Sequence, residues 1–123
     1  MHILCVFIGG GLGAMCRYGV GTLITPSSKG FPYQTLTANI LSSILLGFLL
    51  SYFLVKGDNY NSRFLWVTGF CGGFSTFSTF SAETFQLIES GHYGLSLIYV
   101  LISVVVCVLA IGSGLYLGSQ VLK

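Results

Sequence analysis

The chain is 123 residues long, 54% hydrophobic and only 7% charged, against about 25% charged residues in an ordinary soluble domain. So short and apolar a chain cannot cover a globule with polar side chains, and it reads as an integral membrane protein. A net charge of +2 is too small to suggest a nucleic-acid surface, and the interleaved basic and aromatic residues of such surfaces are absent.

A span needs about 20 apolar residues, and four segments qualify. The first runs from about Ile3 to Ile24 and stops before Pro26-Ser27-Ser28-Lys29-Gly30. It lacks a basic leader and a small-residue cleavage site, so it reads as a membrane helix rather than a signal peptide. Gly9, Gly11 and Ala14 fit G-x-G-x-x-A, but no βαβ context surrounds them, and helix packing is the better account. Arg17 lies well inside this span. An intramembrane charge marks function by default, although a side chain near a helix end also snorkels to the interface. Tyr18 suits either reading.

The second span runs from about Pro32 to Val55 and ends at Lys56-Gly57-Asp58-Asn59. Thr35, Asn39, Ser42 and Ser43 form a polar patch on it. Interhelical bonding is the bland account of such residues. The number of polar groups clustered together favours pore lining.

The third span, about Phe64 to Ile88, contains Gly69-Phe70-Cys71-Gly72-Gly73-Phe74-Ser75-Thr76-Phe77-Ser78-Thr79-Phe80-Ser81-Ala82-Glu83. In lipid every backbone polar group must be satisfied internally, so this mixture belongs where the chain is buried or lines a cavity. Phe74, Phe77 and Phe80 repeat every three residues, as do Ser75, Ser78 and Ser81. A Phe stripe alone usually means core packing; the hydroxyls beside it argue for a lined path. Gly72-Gly73 weakens the helix. A break from Gly72 to Ser75 would free carbonyls for a cation and N–H groups for an anion.

The fourth span runs from about Tyr93 to Leu122, with Tyr99, Ser103 and Cys107 on one helical face. Cys5, Cys16, Cys71 and Cys107 form no CxxC pair and sit in apolar stretches. They read as small hydrophobes, not as metal ligands or a disulfide framework.

Across the spans the donors are Ser, Thr, Asn and Tyr, with Arg17; the one acid is Glu83. A cation or proton path would be expected to use buried carboxylates. Phenyl rings have positive edges, and conduction needs binding that is weak enough to release the ion. Neutral donors with ring edges therefore suit a small anion.

Four spans leave Lys56, Arg63 and Lys123, offset by Asp58, on one side and Lys29 with Arg17 on the other. Loop Lys and Arg set orientation, and here the bias is close to nil. Either other forces fix the orientation, or the chain inserts both ways and pairs with an inverted copy, resembling inverted transporter repeats. A lone unit of this size has little interior for a path, so oligomerisation is expected. Gly9/Gly13, Gly69/Gly73 and Gly114/Gly118 are GxxxG pairs that allow close helix approach.

The chain resembles the Fluc/CrcB fluoride channel family over essentially its whole length. The resemblance rests on Gly9-Gly10-x-x-Gly13-Ala14-x-x-Arg17-Tyr18, on Thr35-x-x-x-Asn39, and above all on the Gly69–Glu83 motif. It implies an all-α protein of four transmembrane helices, the third broken, assembled as an antiparallel dual-topology homodimer with two pores in the cell membrane. It implies fluoride export that protects the cytoplasm. Phe77 and Phe80 would present ring edges, and Asn39 would donate to the ion. Ser78, Thr79, Tyr99, Ser103 and Thr35 would contribute a polar track, with Arg17 at the vestibule. A structural sodium ion at the dimer centre would be held by the backbone carbonyls of Gly72 and Ser75. Cys107 stands where a further hydroxyl would continue the track, and Glu83 matches the motif without a role that physics assigns.

No catalytic dyad or triad is evident, so an enzyme is not expected. A small multidrug-type proton-coupled transporter shares the length and topology but depends on a glutamate in the first span, which here holds Arg17 and no acid. A non-transporting assembly subunit would explain the glycines but not the hydroxyl and Phe stripes.

Overall fold

A computed structural model describes residues 1–57 and 59–123. Asp58, counted above among the loop charges, lies outside the described residues. The chain is helical: α1 (His2–Leu23), α2 (Tyr33–Lys56), α3 (Tyr60–Arg63), a π-helical segment (Phe64–Cys71), α4 (Gly72–Phe74), α5 (Phe77–Glu89) and α6 (Tyr93–Val121). Among the described residues, α1, α2 and α6 are long and apolar enough to cross a membrane. The third apolar stretch is divided. Right-handed backbone at Arg63, Cys71 and Gly72 joins α3, the π segment and α4 into one rod; α5 is separate and 13 residues long.

Two pairings build the fold: α2 lies along α6, and the rod lies along α1. Both are set by glycine. A Cβ on Gly47 would strike the Ile111 carbonyl, and one on Gly114 the Ile44 carbonyl. On the other pair, a Cβ on Gly9 would meet the carbonyl of Leu65 and one on Gly13 that of Phe70. Glycines four apart on α1 thus face carbonyls five apart on the rod, and five is the repeat of π-helical hydrogen bonding. The π segment brings both carbonyls to one face.

All three GxxxG pairs are therefore occupied inside the subunit. Gly69 and Gly73 meet Gly9 and Gly10, and Gly118 meets Ser51.

The break also falls later than the glycines suggest. Gly72 and Gly73 are helical, and the extended residues are Ser75 (φ −74°, ψ 159°) and Thr76 (φ −150°, ψ 116°). Gly73 stays in the rod because that rod is pressed onto α1.

Burial inside the subunit is sparse. Leu36, Leu87 and Tyr99 form a small cluster under Phe31, Ile40, Phe80 and Leu95. Ile3, Leu23 and Leu54 are more than four-fifths exposed. So much bare apolar surface calls for lipid or another subunit against it.

Candidate functional site

The site is organised around the break. Thr76, extended and 8% exposed, has left the helical ladder, so its buried amide and carbonyl need other partners. Asn39 of α2 supplies both. Its Oδ1 accepts from Thr76 N–H at 2.8 Å, and its Nδ2 donates to the Thr76 carbonyl at 3.3 Å. One side chain on α2 thus takes the place of a neighbouring strand.

Thr76 then starts α5. Its Oγ1 accepts from the Thr79 amide at 3.1 Å, donates to the Thr79 hydroxyl at 3.1 Å, and lies 3.2 Å from Ser78 Oγ. This is an N-cap, which satisfies one of the amides that a helix start leaves open. It also takes the helical donors from two carbonyls. In an α-helix the Gly72 carbonyl would accept from Thr76 N–H and the Ser75 carbonyl from Thr79 N–H. Both amides donate instead to side-chain oxygens. The preceding Cys71 carbonyl is the opposite case, with Ser42 Oγ at 3.0 Å, Ser75 Oγ at 2.9 Å and Ser75 N at 3.0 Å donating to it. Neutral carbonyl oxygens released in this way fit a hard cation of low charge. Gly72 and Ser75 are the two positions named for sodium.

Two clefts meet at Thr76. One, of about 260 Å³, is lined by Asn39, Ser43, Ser75, Thr76, Phe77, Phe80, Ser103, Val104 and Cys107. Phe77 is 79% exposed and its ring centre lies 5.7 Å from that of Phe80. Ser103, 7% exposed, has a buried Oγ without a hydrogen-bond partner. A buried hydroxyl in that condition is costly and marks a place for something polar. The other cleft, of about 350 Å³, holds Arg17 and Tyr18 with Gln34, Thr35, Thr76, Thr79 and Glu83. Glu83 and Gln34 also border a third cleft of about 370 Å³ under the loops, beside Lys29 and His92.

Glu83 is held in place from two helices. Thr35 Oγ1 of α2 donates to Oε1 at 2.7 Å, and the Tyr99 hydroxyl of α6 donates to Oε2 at 2.8 Å. Tyr99 is fully buried, with its ring 5.1 Å from Phe80 and edge-on to Phe31 at 5.4 Å.

The expected track is thus divided. Asn39, Phe77, Phe80 and Ser103 share one cleft, and Cys107 joins them. Thr35 and Thr79 line the Arg17 cleft, Tyr99 anchors Glu83 behind both, and Ser78 lines neither of the two. The sequence offered no role for Asn39 as a backbone clasp, because the partner lies 37 positions away. It did carry a signal for the cap: a Thr before an apolar helical run. Gln34 was also missed. Its Nε2 donates to the carbonyls of Gly21 at 2.8 Å and Ile24 at 2.6 Å, tying α2 to the open end of α1.

Comparison with known proteins supplies the family. The family model described as CrcB-like protein, Camphor Resistance (CrcB), matches residues 4–115. A Coxiella burnetii protein named fluoride-specific ion channel FluC is 42% identical over 123 residues, covering 98% of this chain and 99% of that one. Proteins of the same name from Bacteroides fragilis and Francisella philomiragia are each 38% identical, over 97% and 93% of this chain and 97% and 92% of their own lengths. With the family's pattern running through nearly every helix, this chain belongs to the CrcB-like family.

Proposed function

We propose that this protein is a fluoride-selective channel of the cell membrane. It lets fluoride leave passively and so limits its toxicity in the cytoplasm. The observation that carries the reading is the cleft lined by Phe77, Phe80, Asn39 and Ser103, the last with an unpartnered hydroxyl, in a chain whose relatives are named fluoride-specific channels.

Arg17 and the neutral donors around it draw an anion into the cleft that Arg17 lines. Glu83 accepts from Thr35 and Tyr99, and these bonds occupy its oxygens. Thr76 and Asn39 stand where the two clefts meet. One Asn39 amide proton is committed to the Thr76 carbonyl, which leaves the second to donate to the ion. Beyond them Phe77 and Phe80 offer ring edges and Ser103 a hydroxyl. None carries a charge that would trap the ion.

The functional unit is an antiparallel homodimer of four-helix subunits. The exposed faces of Gly72 and Phe77 at the break support this, as does the near-absence of charge bias. The carbonyls of Gly72 and Ser75 would hold a sodium ion. Bound there, it would supply a fixed positive charge that satisfies the released carbonyl oxygens. A reporter fused at the C-terminus should appear on both sides of the membrane; a single-sided signal would remove the dual-topology element.

Ion efflux from liposomes containing the purified protein tests the function. Fluoride efflux with negligible chloride efflux is expected. Proton-coupled dye transport without fluoride flux would overturn the reading.

A further inference from the structure

The four cysteines sit in different surroundings. Cys16 is exposed and Cys5 half-buried on α1, and Cys71 is 3% exposed inside the rod. Cys107, half-buried on α6, lies on the wall of the Phe77–Phe80 cleft. One turn earlier on the same helix is Ser103, which lines the same cleft and whose buried hydroxyl has no partner. An orphaned donor and a thiol on one wall describe a space that admits a small polar guest.

The geometry points to Cys107 as a covalent modification site for small thiosulfonates, at which a single adduct closes the anion path. It rests on the channel reading above. The Cys107 sulfur, as thiolate, attacks the divalent sulfur of R–S–SO₂CH₃. A new S–S bond forms, the S–SO₂ bond breaks, and methanesulfinate leaves with the electron pair; the thiol proton goes to solvent. The reagent is the oxidant, and the product is the mixed disulfide Cys107–S–S–R. Attack needs both thiolate and access, and the cleft provides the access that Cys71 lacks. With R a sulfonatoethyl group, the adduct places a fixed negative charge in a space of about 260 Å³. An anion must bind weakly and move on there. Cys5 and Cys16 do not line that cleft, so their modification leaves the path open.

The test uses the reconstituted full chain and sodium (2-sulfonatoethyl)methanethiosulfonate, with adducts located by mass spectrometry and fluoride efflux followed before and after. In a Cys5→Ala/Cys16→Ala background, the adduct should map to Cys107. Efflux should fall by about tenfold or more and return on reduction. In Cys107→Ser the reagent should leave that variant's own untreated rate unchanged. Labelling that misses Cys107, or full labelling there with unaltered efflux, would overturn the inference. Absence of fluoride efflux before any reagent would instead defeat the channel reading, while the mass measurement would still decide whether Cys107 is the accessible thiol.

Discussion

The two pieces of the third apolar stretch are adjacent in sequence yet built for different purposes. The rod from Tyr60 to Phe74 presents Gly69 and Gly73 to the backbone of α1 and buries Cys71 and Phe74. Its polar side chains stand mostly at its start, at Asn61, Ser62 and Arg63. After Ser75 and Thr76, α5 carries Ser78, Thr79, Ser81, Glu83 and Thr84 beside its rings and is bonded through side chains to α2 and α6. The first piece achieves close packing by omitting side chains. The second accepts looser packing in order to display donors. The break between them serves both: it releases the Gly72 and Ser75 carbonyls on one side and starts a capped helix on the other.

This contrast can be broken at either piece. The largest effect is expected on the rod side. Gly13→Leu drives a side chain into the Phe70 carbonyl, where backbone must move. Overpacking of this kind costs about 1–3 kcal/mol and occasionally more, so little folded protein should be recovered; a normal unfolding midpoint in detergent would contradict the packing account. Asn39→Leu comes next. It keeps the approximate shape but leaves Thr76 N–H and C=O without partners, each at about 1–3 kcal/mol. A lower unfolding midpoint and a loss of fluoride efflux are expected together. Preparation without sodium should impair efflux in the intact wild type, and flux indifferent to sodium at every stage would count against the carbonyl site. The smallest effect is Gly11→Ala. Nothing lies within 4 Å of a Cβ there, and alanine should stabilise α1 by about 0.5–1 kcal/mol. A loss of stability as large as that of Gly13→Leu would mean that glycine as such, rather than its contact, matters.

The apolar stretches were legible because membrane spans are written in composition: α1, α2 and α6 start and end within a residue or so of the hydrophobic limits. The break was legible in kind, since Gly72-Gly73 and the hydroxyls cannot form an ordinary lipid-facing helix. Its position was not. Glycine weakens a helix, but contact with α1 keeps Gly73 in the rod, while Asn39 on another helix pulls Thr76 out of it. The π segment was invisible because it answers to carbonyl spacing against Gly9 and Gly13. The GxxxG pairs were legible as helix packing, but their partners were not: spacing declares a close approach without naming the helix approached. Glu83 stood out as the lone acid of the spans, yet its partners Thr35 and Tyr99 lie on separate helices and meet it only in the fold.

The central claim is that α5 presents rings to an anion and the rod does not. Fluoride efflux from liposomes containing Phe77→Ile or Phe80→Ile, with assembly checked by size-exclusion chromatography, tests it most directly. The account predicts sharply reduced fluoride efflux with the dimer intact. Wild-type efflux in both variants would contradict it.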